Sequence, residues 1–101
     1  MIKIKKQIDP IFNPKSLALI GATNNPLKWG WIIQHNIMWN RYKGRLYPVN
    51  RSEDKVLGLK SYPSVRNVPE PIDLAIIDVP AQSVAQVADE CIGGGIKASV
   101  G

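Results

Sequence analysis

Four short runs rich in apolar residues constrain the fold of this chain more than any other feature. They occupy residues 16–21, 45–50, 73–79 and 97–100. Strands that are apolar on both faces are typical of parallel sheets covered by helices on each side. Pro48 lies inside the second run, and because proline cannot donate a backbone hydrogen bond, we expect that strand to stop there.

Segments with the apolar spacing of a helix separate these runs. The apolar residues recur at spacings of three and four at Trp29, Ile32, Ile33 and Ile37. This spacing predicts a helix whose stripe, Trp29 included, packs on the core. We expect the helix to end near Tyr42 and Lys43, with Gly44 in the position after the C-cap.

A second helix is predicted after Ser83, which is a suitable N-cap residue. Its apolar stripe consists of Val84, Val87, Ala88, Cys91 and Ile92. The glycines at 93–95 are expected to end it. Residues 64–68 are predicted to form a short helix of one or two turns. It is short because Pro69 prevents its continuation.

The order strand, helix, strand, short helix, strand, helix, strand predicts right-handed crossovers and a doubly wound parallel α/β sheet with three α/β/α layers. A sheet of this kind usually has a fifth or sixth strand, so we expect the chain to be truncated after its fourth strand, as a fragment of a larger protein. We assign residues 1–15 to a basic N-terminal arm and residues 16–101 to the folded domain.

Composition narrows the class of protein. The net charge is +5, but part of it belongs to the N-terminal arm and the remaining cations are scattered, several of them near strand ends or in loops. This disfavours the basic stripe with interleaved aromatic residues that nucleic acid would need, and it favours a phosphorylated small molecule or an ordinary basic surface. No apolar run is long enough for a membrane helix, and the N-terminus lacks the apolar core of a signal peptide, so we expect a cytoplasmic protein. The single cysteine, Cys91, excludes an internal disulfide and a cysteine-based metal cluster and is expected in the core.

Ligands of open α/β sheets bind beyond the carboxyl ends of the strands, where residues 21–30, 50–60 and 79–81 are expected to meet. Gly21 permits a sharp turn there, and Gly30 permits a close approach of helix and strand. Thr23 supplies a hydroxyl group and Lys28 a positive charge, near the positive end of a helix dipole. We therefore predict a phosphate site in this loop, with an ordinary loop lysine as the alternative for Lys28.

Two features disfavour a dinucleotide site. The fingerprint G-x-G-x-x-G is absent, because Ala22 and Thr23 follow Gly21 and Pro26 interrupts the loop. The second strand is followed by Asn50 and Arg51, where an NAD site offers Asp or Glu to the ribose. An arginine at this place favours a phosphate on or near a ribose.

Several blocks of the chain resemble one family. They are "FNPKSLALIGATNNPLKWGW", "GRLYPVN", "VLGLKSYPSV", "VPEPIDLAIIDVPAQSV" and "GGGIKASV". In this order they resemble the coenzyme A-binding domain of NDP-forming acyl-CoA synthetases, such as the ADP-forming acetyl-CoA synthetases and the α subunit of succinyl-CoA synthetase. The resemblance covers residues 12–100 and implies a Rossmann-like domain that holds CoA at the carboxyl edge of its sheet.

The resemblance also implies roles for individual residues. Around the CoA phosphates it puts Gly21, Ala22, Thr23, Pro26 and Lys28. Along the ribose and its 3′-phosphate it puts Pro48, Val49, Asn50 and Arg51, with Lys55 or Lys60 as a further cation. Beside the adenine or pantetheine it puts Val79, Pro80 and Ala81.

The family's reaction joins a carboxylic acid to CoA with a nucleoside triphosphate, through an acyl phosphate and a phosphorylated histidine. That histidine belongs to a later domain and the nucleotide to an ATP-grasp module, so the resemblance implies these domains or subunits as partners and no catalytic residue or metal in this chain. The single histidine, His35, is expected on a helix face. Two alternatives stay open: a CoA-sensing module, alone or attached to a protein acetyltransferase, and an NAD(P)-binding domain.

Four further residues are ambiguous. Trp31 and Trp39 fall off the helical stripe and are candidates for contact with a neighbouring domain or with another subunit of an oligomer. Asp73, at a strand start, is expected to be a solvated strand end. Asp78 lies near a carboxyl edge and is a candidate for ligand contact.

Overall fold

A parallel sheet forms the centre of the computed structural model, which describes residues 14–93, residue 96 and residues 98–100. Residues 1–13 of the predicted arm and the glycines at 94 and 95 lie outside the described residues. The strands in chain order are β1 (Ser16–Ile20), β2 (Arg45–Val49), β3 (Lys55–Val56), β4 (Leu59–Lys60), β5 (Leu74–Ile77) and β6 (Ala98–Val100). The main sheet has the order β2-β1-β5-β6 and every pairing in it is parallel, which confirms the predicted Rossmann-like α/β class.

The central strand β1 is buried along its whole length because helices cover both faces of the sheet. Ala18 and Ile20 face one core cluster, which includes Val87 and Cys91 of the second helix. Leu19 faces the opposite cluster, against which Ile33 of the first helix packs. The alternation along β1 therefore separates two core layers, as the predicted three-layer arrangement requires.

The second strand continues through Pro48 to Val49, so the expectation that it stops at the proline was wrong. β2 is the edge strand of the main sheet, where a missing N–H is tolerated. Pro48 pairs in register with Leu19 and is buried, and its carbonyl accepts a hydrogen bond from the Tyr62 N–H at 3.0 Å.

The first helix, α1 (Trp29–Trp39), packs on the sheet through a different side from the predicted one. Gly30 and Gln34 are its buried residues, whereas the Trp29 side chain is 71% exposed. A Cβ at Gly30 would lie 2.1 Å from the Gly21 carbonyl oxygen, so the start of the helix touches the sheet with its backbone. This close approach turns the neighbouring Trp29 toward solvent, and its prediction as a core residue was wrong.

The end of α1 also differs from the prediction. Arg41 adopts a left-handed conformation with φ 56°, and the Tyr42 N–H donates to the Ile37 carbonyl at 3.3 Å. This is a Schellman closure with arginine in the position that glycine usually takes. Gly44 instead allows the chain to pass close to Lys15, because a Cβ at Gly44 would lie 2.6 Å from the Lys15 carbonyl oxygen.

The second helix, α2 (Val84–Gly93), ends at the first of the three glycines, as predicted. It is preceded by a 3₁₀ turn, Ala81–Ser83, so Ser83 is already helical and is not the extended N-cap residue that was predicted. Val87 and Cys91 are buried while Val84 and Ile92 are exposed, so the stripe is narrower than expected. Burial raises the pKa of the Cys91 thiol, with a further contribution from Glu90.

The sequence did not predict the hairpin β3–β4, whose strands have two residues each. Leu57 and Gly58 connect its strands, and both have positive φ values of 49° and 84°, as a type I′ turn requires. The hairpin docks on α1 through Gln34, whose Nε2 donates to the Val56 carbonyl at 3.0 Å.

A 3₁₀ helix at Val65–Asn67 confirms the short helix predicted there. None of the helices in the described part of the chain is long and apolar enough to cross a bilayer.

Candidate functional site

A cleft of about 710 Å³ opens at the carboxyl edge of the main sheet. It is lined by the residues that follow β1, β2 and β5, together with the 3₁₀ turn before α2 and one face of that helix. This is the place where the order of the strands reverses on either side of β1, and where open α/β sheets bind their ligands. The chain thus brings three separate loops to one concave surface.

Gly21 forms the floor of the cleft between β1 and β5. Its φ is +101°, and a Cβ there would lie 1.8 Å from the Asp78 carbonyl oxygen. The Gly21 N–H donates to the Val49 carbonyl at 3.2 Å, and the Asp78 N–H donates to the Ile20 carbonyl at 2.7 Å. The turn that the sequence predicts at Gly21 therefore has two causes, a left-handed backbone and a neighbouring strand that leaves no room for a side chain.

The polar residues after Gly21 hold the loop itself in shape. The Thr23 Oγ1 accepts a hydrogen bond from the Asn25 N–H, and the Asn25 Oδ1 accepts one from the Leu27 N–H. Asn24 reaches the hairpin, where its Nδ2 donates to the Lys55 carbonyl and its Oδ1 accepts from the Leu57 N–H. The groups that this loop still presents to a ligand include the hydroxyl proton of Thr23 and the ammonium group of Lys28.

Asn50 connects the loop after β2 to the loop after β1. Its Nδ2 donates to the Ala22 carbonyl at 2.8 Å, and its Oδ1 accepts hydrogen bonds from the backbone N–H groups of Ser52 and Glu53. Both ends of this side chain are therefore committed to the protein. Among the predicted site residues, Asn50 organises the cleft, and the adjacent Arg51 presents the charge.

The charged side chains in the cleft are segregated. Lys28, at the N-cap of α1, and Arg51, after β2, supply the positive charges. Asp78, after β5, and Glu90, on α2, supply the negative ones. Within the described residues, neither Lys28 nor Arg51 forms an ion pair, so both cations remain for an anionic ligand.

Most of the predicted site residues meet in this cleft: Gly21, Ala22, Thr23, Lys28, Val49, Asn50, Arg51, Val79 and Pro80. Pro26, Pro48 and Lys60 do not line it. Pro26 is exposed on the loop, and Pro48 is buried in β2. Lys60 lies on β4 with its Nζ 5.2 Å from the centre of the Tyr62 ring, and Lys55 is on the same hairpin.

Sequence reasoning missed the far wall of the cleft. Its residues are Pro63, Ser83, Val87 and Glu90, whereas Ser52, which also lines the cleft, lies within the predicted segment 50–60. The positions of Val87 and Glu90, three residues apart on a helix, indicate a shared face but do not show that this face borders a ligand. Asp78, a candidate from its place in the sequence, does line the cleft.

The outer side of α1 carries stacked aromatic rings away from the cleft. His35 lies between Trp31 and Trp39, with ring-centroid distances of 4.8 and 6.0 Å. His35 is exposed on the helix face, as predicted, and the Trp39 side chain is 77% exposed. The histidine thus stands apart from the cleft lining.

Comparisons with known proteins agree with this geometry. Residues 15–100 match the model of a family described as CoA binding domain. The chain is 47% identical over 90 residues to an ADP-forming acetate–CoA ligase II of Archaeoglobus fulgidus, an alignment that covers 89% of this chain and 13% of that protein. It is 44% identical over 94 residues to the α subunit of an ADP-forming acetate–CoA ligase II of Pyrococcus furiosus, which covers 92% of this chain and 20% of that subunit.

A solved structure gives the same result. The dinucleotide-forming acetyl-coenzyme A synthetase 1 of Ca. Korarchaeum cryptofilum superposes with a TM-score of 0.89 at 39% identity, over 91% of this chain and 20% of that one. The chain therefore spans a fifth or less of the length of these relatives.

Proposed function

Because this chain belongs to the CoA-binding domain family, we propose that it is the CoA-binding part of an NDP-forming acyl-CoA synthetase and holds CoA in the cleft at the carboxyl edge. The observation that carries the proposal is the pair of cations, Lys28 and Arg51, which flank the turn at Gly21 in a cleft of about 710 Å³. CoA carries a pyrophosphate and a 3′-phosphate, so it requires positive charge at two places.

The pyrophosphate would lie over the turn from Gly21 to Thr23, next to the Lys28 ammonium group and the positive end of α1. The ribose and its 3′-phosphate would follow Val49 to Arg51, because a guanidinium group can bind a phosphate through two parallel hydrogen bonds. Val79 and Pro80, after β5, would border the remainder of the ligand. Pro48, buried in β2, would support this arrangement from below.

The contribution of this domain to the reaction is the placement of CoA. In the proposed synthetase a carboxylic acid is activated as an acyl phosphate with a nucleoside triphosphate, through a phosphorylated histidine, in other parts of the enzyme. Holding the CoA thiol in reach of that acyl phosphate converts an encounter in solution into a reaction between bound groups. The partners would be a phosphohistidine domain and an ATP-grasp module, as further domains or subunits, and the location would be the cytoplasm.

An NAD site is less consistent with the geometry. The residue that follows β2 is Asn50, whose amide is committed to Ala22 and to the turn at Ser52, so no acceptor is left there for a ribose diol. A CoA-sensing module would use the same cleft, and it would differ from the synthetase in lacking the other domains.

Calorimetry with CoA, 3′-dephospho-CoA, NAD and NADP tests the proposal. We expect CoA to bind most tightly. Replacing Arg51 with Ala should weaken CoA binding by about tenfold or more, because a charged contact to the 3′-phosphate is lost, and should change dephospho-CoA binding much less.

Arg66→Ala is the matched control, since Arg66 is also exposed and does not line the cleft. It should leave the affinity for both ligands near that of the wild type. Equal losses for CoA and dephospho-CoA in the Arg51 variant would remove the 3′-phosphate assignment. Tight NAD binding without CoA binding would refute the proposed function.

A further inference from the structure

Glu90 is a carboxylate in a cleft that is otherwise suited to an anion. It is half-buried on α2, and the Ser64 Oγ donates a hydrogen bond to its Oε2 at 3.0 Å. Within residues 14–93 the other carboxylate oxygen, Oε1, has no hydrogen-bond donor from the protein. One oxygen is therefore fixed by the protein, and the other is left as an acceptor on the wall of the cleft.

A carboxylate at this place repels phosphate groups and can accept a hydrogen bond from a donor of the ligand. The phosphates of CoA would lie on the side of Lys28 and Arg51, so Glu90 faces an uncharged part of the molecule. Two parts of CoA carry N–H donors: the exocyclic amino group of adenine and the amides of the pantetheine.

Backbone hydrogen bonds indicate which of these parts lies nearer. The Asn50 N–H donates to the Tyr62 carbonyl at 2.9 Å, and the Tyr62 N–H donates to the Pro48 carbonyl at 3.0 Å. These contacts hold the segment that begins at Pro63 against the end of β2, where the ribose would lie. Since Ser64 binds Glu90, the carboxylate belongs to the same region of the cleft.

The walls beside Glu90 are suited to a flat base. Val87 lies one turn earlier on the same face of α2, and Pro63, which also lines the cleft, precedes Ser64 in the chain. We propose that Glu90 recognises the adenine of CoA by accepting a hydrogen bond from its exocyclic amino group. This inference rests on the proposed function. Ser64 is the positioning residue, since its hydroxyl also accepts the Arg66 N–H at 3.3 Å and is thereby oriented toward the carboxylate.

The test compares two small ligands that lack pantetheine: adenosine 3′,5′-bisphosphate and its analogue with purine in place of adenine. Loss of the amino group should weaken binding to the wild-type chain by about tenfold, because a carboxylate that the ligand covers is then left without its hydrogen-bond donor. In a Glu90→Ala variant the two ligands should bind equally. Glu90→Gln should discriminate to an intermediate degree, since an amide oxygen accepts a hydrogen bond without charge.

Asp89→Ala is the matched control, because Asp89 precedes Glu90 on the same helix and does not line the cleft. This variant should discriminate between the ligands as the wild type does, and circular dichroism of each variant checks that it is folded.

The inference fails if the wild type binds both ligands equally, or if Glu90→Ala still discriminates between them. It also fails if Glu90→Ala weakens intact CoA but not the bisphosphate, which would assign Glu90 to pantetheine. Failure of the wild type to bind CoA at all would instead refute the proposed function.

Discussion

The two edges of the main sheet use their polar groups in opposite ways. At the amino edge the groups pair with each other: the Ser16 Oγ donates to the Pro71 carbonyl at 2.8 Å and accepts the Asp73 N–H at 3.0 Å. The Lys15 N–H donates to the Asp73 carboxylate at 2.9 Å. Beside them, Arg45 and Tyr47 both donate to Glu70.

At the carboxyl edge, by contrast, the charged groups border an open cleft. Lys28 and Arg51 have no ion-pair partner within the described residues, and only one oxygen of Glu90 is bound by the protein there. The hydrogen bonds at this edge go instead into the loop backbones, through Asn24 and Asn50. The amino edge thus pairs its charged side chains within the protein, whereas the carboxyl edge is held by uncharged asparagine side chains and keeps its charges for a ligand.

The largest effect is expected at Gly21, where the backbone conformation and the neighbouring strand leave no room for a side chain. Gly21→Ala should destabilise the chain by at least about 3 kcal/mol, because the new Cβ adds an unfavourable positive φ to a clash with a backbone carbonyl. The unfolding free energy from urea titration measures this loss.

Gly58→Ala is the matched control for that substitution. Gly58 also has a positive φ, +84°, but no atom lies within 4 Å of the position that a Cβ would take there. It should cost only about 1 kcal/mol. If both variants lose the same stability, the conformation at Gly21 matters and the close approach of β5 does not.

A smaller effect is expected at the amino edge. Ser16 is 2% exposed, and its hydroxyl group donates to the Pro71 carbonyl. Ser16→Ala removes this hydroxyl group and leaves the carbonyl without that donor. The variant should therefore lose about 1–2 kcal/mol of stability. Its affinity for CoA should not change, because Ser16 lies at the opposite end of β1 from the cleft.

Ser61→Ala provides the control for the hydroxyl group. Ser61 is also buried, but its Oγ has no hydrogen-bond partner among the described residues. The same substitution there should be close to neutral in the same urea titration. A loss of CoA affinity in the Ser16 variant would contradict the separation of roles between the two edges.

The sequence predicted the parts of the fold that depend on local signals. The strand predicted at residues 16–21 and the turns or helix ends at the glycines 21, 30 and 93 can be recognised from neighbouring residues in the sequence. The parallel pairing follows from the alternation of strands and helices. The hairpin at Lys55–Lys60 was missed because its strands have only two residues each, too few for a period to be visible.

The errors arose where tertiary contacts overrule a local pattern. Trp29 fits the apolar spacing of α1, yet the contact between Gly30 and the Gly21 carbonyl turns it outward. Glu90 and Ser64 are distant in sequence, and nothing in either segment indicates that they meet at a cleft. The loop of the site after β1 was therefore predictable, and its opposite wall was not.

The smallest effect concerns the ion pair of the amino edge. Hydrogen bonds from Arg45 and then from Tyr47 lower the pKa of Glu70 below its ordinary value of 4.5, so the folded state favours the carboxylate. The stability that this group contributes is therefore present above pH 4.5 and is lost as the pH falls through the lower pKa of the folded state. Because the pair is at the surface, we expect the contribution to be small and to weaken with added salt.

Thermal unfolding of the wild type and of Glu70→Gln, followed as the pH falls from about 6 to about 3, measures this contribution. The melting temperatures should differ most at the upper end of this range and approach each other as the pH falls. Glu53→Gln is the control, because the Glu53 side chain is exposed and forms no ion pair among the described residues, and it should leave the melting temperature near that of the wild type. A constant difference between wild type and Glu70→Gln at every pH would mean that Glu70 acts through packing, and the ion pair would then contribute no measurable stability to the amino edge.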